Sequence, residues 1–219
     1  MTTHNTIPVS RIPKSTRLTP YIMSLKRAKE YSISDVRRCL NAQPGQITPT
    51  ECRRICKHAR LRELTKNPLR TLQSYKKEMQ ICLRYGNREA HYVEGMKQYF
   101  ALRHTRIGMR HFKISARKHF DQGNYLLGLL KLVSGDHNEG MKILDIFAWK
   151  KKTRTVDRLW MQLKQSLREI QIIKLKSYGT NQILLMPSQT CNPSELNKRC
   201  TKCFHYKEIE KFLQLVYRG

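Results

Sequence analysis

Two segments in the middle of this chain repeat one another at a spacing of 32 to 33 residues. Tyr92, Gly95 and Tyr99 recur as Tyr125, Gly128 and Leu132, each offset by 33. Downstream, Gly108, Met109 and Phe112 recur as Gly140, Met141 and Leu144, each offset by 32. Periods of this size mark arrays of helix pairs in which every pair buries its apolar face on its neighbours. The pattern predicts an all-α chain that works by binding a partner rather than by catalysis. Gly95 and Gly128 fall inside predicted helices, where glycine costs roughly 1 kcal/mol relative to alanine. Two such costs at one repeat position predict close helix–helix approach. The predicted packing positions are Tyr92, Gly95, Gly108, Ala116, Tyr125, Gly128 and Gly140.

Four regions follow from the order of signals. Residues 1–20 carry Pro8, Pro13 and Pro20 among polar and basic residues, which predicts a disordered basic tail. Residues 21–70 read as a short helical segment, with a loop over Asn41 to Thr50, a helix over Glu51 to Leu64 and a stop at Asn67–Pro68. Residues 72–175 hold the repeats. Helices are predicted over Leu72–Arg84, Ala90–Phe100, Thr105–His119, Tyr125–Val133, Glu139–Ala148 and Thr155–Lys174, with Gly123–Asn124 as a break. Two repeats are fewer than an array usually needs, so the first and last of these helices are expected to cap it. Residues 176–219 read as an irregular stretch, a cysteine-containing tail and a terminal helix.

Charge narrows the partners. Lys and Arg total 43 against 16 Asp and Glu, a formal net charge of +27. Such an excess attracts polyanions, so a nucleic acid or an acidic protein face is an expected partner. Paired Arg53 and Arg54 with Lys57, and the run Lys150 to Arg154, are also what a solvated surface looks like. No apolar run is long enough to span a membrane. The polar N-terminus lacks a secretory h-region, which points to the nucleus or the cytoplasm.

Seven cysteines in such a chain read as thiols or metal ligands rather than as disulfides. Cys200-x-x-Cys203 has the spacing of one zinc knuckle, with Cys191 upstream and His205 downstream as further ligands of a structural zinc. Ordinary reduced thiols near a helix start are the alternative. Cys52 and Cys56 lie at helical spacing and read as a half-buried face; Cys39 and Cys82 read as small core residues. No catalytic residues stand out. Nucleophile elbow, phosphate-cradling loop and zincin motif are all missing, and no cofactor other than zinc is indicated.

The run Gly86-Asn87-Arg-Glu-Ala90-His-Tyr92-Val-Glu-Gly95-Met-Lys-Gln-Tyr99-Phe100 resembles the opening of the Sel-like, tetratricopeptide-related region of a plant F-box protein family. The resemblance continues through Gly108, Ala116, Gly123 to Tyr125, Gly128, Gly140–Met141, Trp149, Asp157 to Trp160 and Lys164 to Leu167. It ends on Cys200-x-x-Cys203 with Glu208 and Phe212, and covers about residues 72–215. Upstream, Ser32 to Val36 resembles the middle of an F-box. Ile55-Cys56-Lys57, Leu61 to Leu64 and Asn67–Pro68 resemble its second half. The opening Leu-Pro helix of that module is absent, and about a dozen extra residues separate the two pieces. The resemblance implies a box-like helical segment followed by helix-hairpin repeats and a capping helix. It also implies a substrate-recognition adaptor of an SCF-type ubiquitin ligase. Ile33, Val36, Cys56, Lys57, Leu64 and Pro68 would then face the S-phase kinase-associated adaptor, and the repeats would bind an unknown substrate protein.

Overall fold

The computed structural model describes residues 30–147, 153–172, 176–184, 186 and 200–218. The predicted basic tail lies outside them. Among the described residues there are eleven α-helices and no strand, in agreement with the all-α expectation. None of these helices is long and apolar enough to cross a membrane.

Local chemistry sets the N-terminal helices. Helix α1 (Ile33–Asn41) starts in a capping box: the Asp35 N–H donates to Ser32 Oγ and the Ser32 N–H donates to Asp35 Oδ2. Helix α2 (Pro49–His58) begins with proline at its first turn under a Thr48 cap. It stops six residues short of the predicted Leu64, because Ala59 is extended and bridges Tyr31. A 3-10 turn (Leu64–Lys66) then leads to α3 (Pro68–Ser74), which Asn67 caps. The predicted helix over 72–84 is two helices. Tyr75 leaves helical geometry, and α4 (Lys76–Arg84) starts beyond it.

The repeats are two antiparallel hairpins. The first pairs α5 (Arg88–Met96) with α6 (Thr105–Arg117), and the second pairs α7 (Asp121–Val133) with α8 (His137–Asp145). Each hairpin closes by two reciprocal contacts. A Cβ at Gly95 would lie 2.6 Å from the Phe112 ring, and one at Gly128 would lie 2.8 Å from Leu144. In return, a Cβ at Gly108 would lie 2.5 Å from Tyr99, and one at Gly140 2.7 Å from Leu132. The two glycines of each hairpin thus sit opposite the two large residues of the same sequence repeat. At Gly108 the Tyr99 backbone nitrogen is also within 2.7 Å of that Cβ position, so the helix axes approach as closely as backbone allows.

The change of offset from 33 to 32 has a structural cause. After α5 the chain makes a π turn over Lys97–Ala101, with the Leu102 N–H donating to the Lys97 carbonyl at 2.9 Å. A π turn holds one more residue than an α turn. The first helix of each repeat then ends on a left-handed residue, Arg103 (φ 63°) in one and Gly135 (φ 90°) in the other. The first repeat carries its extra residue before that point, so everything downstream is offset by one less.

Helix α7 is the centre of the core. Leu126, Leu129, Leu130, Leu132 and Val133 have no exposed surface. Each such side chain contributes about 1.5–3 kcal/mol of burial. A helix apolar on every side must be surrounded, and α7 touches α6, α8, α9 (Thr153–Leu167), α10 (Lys176–Ile183) and α11 (Thr201–Arg218). Gly123 and Asn124, expected to break the chain, lie in its first turns instead. Helix α9 reaches both α7 and the 3-10 turn at 64–66, so it lies across the array rather than stacking on its end. The Ser166 hydroxyl donates to the Thr65 carbonyl at 2.7 Å there. The segment from Tyr178, expected to be irregular, begins within α10. The described residues from Tyr31 onward belong to one compact unit.

Candidate interaction surface

The box-like segment is fastened to the array by buried polar side chains. Asn87 is 1% exposed and caps α5, its Oδ1 accepting from the Glu89 and Ala90 N–H groups at 2.9 and 3.1 Å. Its Nδ2 donates to the carbonyls of Cys56 (3.0 Å) and Ala59 (2.8 Å), which end α2. One side chain therefore closes the start of one helix and the end of another. Glu89, also 1% exposed, accepts from the Leu61 N–H. Burial pushes its carboxyl above the usual range, against the opposing effects of that N–H and of Arg88, Arg62 and Arg60.

Above this joint lies a basic notch of about 400 Å³, bordered by Lys57, His58, Arg60, Arg88 and Lys118 with Glu89 among its lining. Lys118 Nζ donates to the Gly86 carbonyl at 2.6 Å. Burial, then the neighbouring Lys57, lowers its pKa. Arg88 donates to the carbonyls of Lys118 and His119, which end α6. Burial, then Lys57, Lys118 and Arg88, holds His58 neutral to lower pH. Cations around one recess with a single lining acid suit a carboxylate or phosphate group of a partner.

A second polar cluster sits inside the first hairpin. His91 Nδ1 and His111 Nδ1 are 2.9 Å apart, so one ring donates to the other and the pair cannot be doubly protonated without breaking. Burial, then His111 and Lys118, pushes the His91 pKa down to about 4. Burial also lowers His111, with Glu94 opposing and Arg110 reinforcing.

The predicted packing residues Tyr92, Gly95, Gly108, Ala116, Tyr125, Gly128 and Gly140 are all buried. The tyrosines at the matching positions have different ends. Tyr125 donates to Glu208 Oε2 of α11 at 2.5 Å, while Tyr92 makes no hydrogen bond of good geometry among the described residues. Of the predicted adaptor-facing residues, Val36, Cys56 and Pro68 are buried. They pack inside the chain and cannot meet a partner as it stands. Ile33 and Leu64 are half-buried and Lys57 is exposed.

Of the residues predicted to hold zinc near the C-terminus, Cys200 and Cys203 come together while His205 pairs elsewhere. Cys200 precedes α11, and its sulfur accepts the Cys203 N–H at 3.3 Å and lies 3.4 Å from the Cys203 sulfur. The Cys200 sulfur thus caps the first turn of α11. His205 is two positions beyond Cys203, on a different side of the helix, and its Nε2 lies 3.0 Å from Asp145 of α8. Cys191 lies outside the described residues. Sequence reasoning missed Asn87 and Glu89. An asparagine with an acid two residues on is a helix-start signal.

Taken together, the fold is that of an all-α helical-repeat protein, an architecture that presents surfaces for protein contacts. Residues 64–168, from the 3-10 turn to the end of α9, match the family of plant tetratrico peptide repeats. The chain is also similar to F-box protein At2g35280 of Arabidopsis thaliana, with 28% identity over 120 residues, 55% of this chain and 73% of that protein. Both findings bear out the resemblance to plant F-box proteins with helical repeats. No solved structure matches.

Proposed function

We propose that this chain is an F-box-related adaptor that recognises a substrate protein for an SCF-type ubiquitin ligase. The observation that carries the reading is the joint at Asn87 and Glu89, which holds the box-like helices α1 and α2 rigidly on a substrate-binding array. An adaptor needs that rigid coupling to present a bound substrate at a fixed position. Similarity to an F-box protein supports the same reading. Ile33, Lys57 and Leu64 are the residues left to meet the S-phase kinase-associated adaptor. Binding of the full chain to that purified adaptor, by pull-down and calorimetry, tests it. Ile33→Asp should weaken binding by about tenfold or more, the loss of one apolar anchor and the burial of a charge. No binding by the unaltered chain sinks the reading.

The basic notch favours a second reading, in which the chain binds a nucleic acid. Retention on RNA or DNA that falls steeply with log salt, and falls further in Lys57→Glu/Arg60→Glu, would support it. Indifference to both polyanions would remove it.

A further inference from the structure

Three of the seven cysteines meet at one place and a fourth lies beside one of them. Cys52 and Cys56 lie one turn apart on a single face of α2. Cys39, in the last turn of α1, faces them. The three sulfurs lie within 4.8 Å of one another. Cys82 of α4 comes against Cys56, close enough for a thiol–thiol hydrogen bond.

We propose that Cys39, Cys52 and Cys56, with Cys82 as the fourth ligand, form a binding site for a thiophilic metal ion, with zinc as its reference occupant. Thiolate–zinc bonds of about 2.3 Å in a tetrahedron put sulfurs roughly 3.8 Å apart. The spread of Cys39, Cys52 and Cys56 therefore needs side-chain shifts of about 1 Å or less, and Cys82, beside Cys56 but outside that group, must swing further to complete the tetrahedron. Cys56 and Cys82 are fully buried, whereas Cys39 and Cys52 are half-exposed, so an ion has an entry path. Each coordinating thiol would release its proton to solvent as the bond forms, with no change of oxidation state. The surroundings suit the resulting negative charge. Helices α1 and α2 carry Arg37, Arg38, Arg53, Arg54 and Lys57 against only Asp35 and Glu51.

Burial alone is a common state of cysteine, but it does not account for this set. Two of the four cysteines are only half-buried, and a core that merely needed small apolar groups has no reason to gather thiols from three helices. The location also has a need. Among the buried residues of α1 and α2 only Val36, Ile55 and Cys56 are apolar. Small helical units with so little core are often stapled by a metal. A bound ion would lock α1, α2 and α4 together beneath the face proposed to meet a ligase adaptor. The site itself stands on the sulfur geometry and is independent of that reading.

The test uses the full chain, reduced and stripped of metal, titrated with Zn²⁺ against a chromophoric chelator and separately with Co²⁺. One ion per chain is expected, with a thiolate-to-cobalt charge-transfer band and a rise in melting temperature. The variant Cys39→Ser/Cys52→Ser alters only half-exposed positions. It should keep the helical circular dichroism, lose the band and bind Zn²⁺ at least about 100-fold more weakly. Cys200→Ser/Cys203→Ser should behave as the unaltered chain. Absence of the cobalt–thiolate band in the unaltered chain would overturn the proposal. So would a band that survives in Cys39→Ser/Cys52→Ser and vanishes in Cys200→Ser/Cys203→Ser.

Discussion

The repeat hairpins and the box-like helices share one core yet are held by different physics. In the array, α5 to α8 bring helices together over four glycines and bury leucines, tyrosines and phenylalanines completely. In the box-like segment, α1 and α2 bury few apolar side chains and depend on Asn87, Glu89 and a gathering of thiols. Apolar close packing is distributed, so no single contact in the array is indispensable. A polar joint is concentrated, and one side chain decides whether the segment stays in place.

The largest effect should come from that joint. Asn87→Ala removes a helix cap, about 1 kcal/mol, and leaves two buried carbonyls without a donor, about 1–3 kcal/mol each. A total loss of about 3–7 kcal/mol, read from the urea midpoint, would confirm the concentration. A loss below about 1 kcal/mol would show that the segment is held some other way.

Gly108→Ala comes next. Its Cβ would meet Tyr99 backbone, which cannot swing aside as a side chain can. A loss of about 2–3 kcal/mol is expected, after the roughly 1 kcal/mol that alanine gains inside a helix. If Gly108→Ala is neutral or stabilising by thermal melting, the reciprocal glycine contacts do not close the hairpin.

Acid should loosen the array through His91. Its folded pKa, about 4, lies below the unfolded value near 6.5. Between those values the unfolded chain binds more protons, so stability is complete above about pH 6.5 and falls as pH drops toward 4. Glu89, whose carboxyl is pushed up, works in the opposite sense. Melting temperatures from pH 7 to 5 should therefore decline, and His91→Gln should flatten the decline.

The smallest effect belongs to the ion pair between α1 and α4. Arg37 Nε is 2.9 Å from Glu78 Oε1, but the arginine side chain is 54% exposed. It also lies over the Tyr75 ring at 5.7 Å. Arg37→Ala should cost about 0.5–1 kcal/mol, detectable as a small midpoint shift that shrinks in high salt.

What the sequence made legible divides along the same line. The glycine and aromatic repeat was readable because each hairpin carries its own copy of the pattern. The π turn was not, since an i to i+5 bond has no residue signature; only the slip from 33 to 32 betrayed it. Helix α10 was missed because Lys176 to Ile183 has little amphipathic character and contains Gly179. It is helical through tertiary contacts, with Tyr178 hydrogen-bonded to Tyr99 at 2.8 Å and Asn181 to the Val133 carbonyl. The break at Tyr75 and the early end of α2 also depend on neighbours distant in sequence. The thiol cluster was invisible for the same reason. Cys52 and Cys56 read as a half-buried helix face and Cys39 and Cys82 as core residues, and only the packing of α1, α2 and α4 makes them a set.

Hydrogen exchange of the full chain, followed by mass spectrometry under native conditions, tests the contrast most directly. Residues 33–58 should exchange as a unit through an opening that costs less than global unfolding, while residues 88–145 hold the slowest amides. Exchange of both regions at one common rate, or earlier loss of protection in the array, would contradict the account.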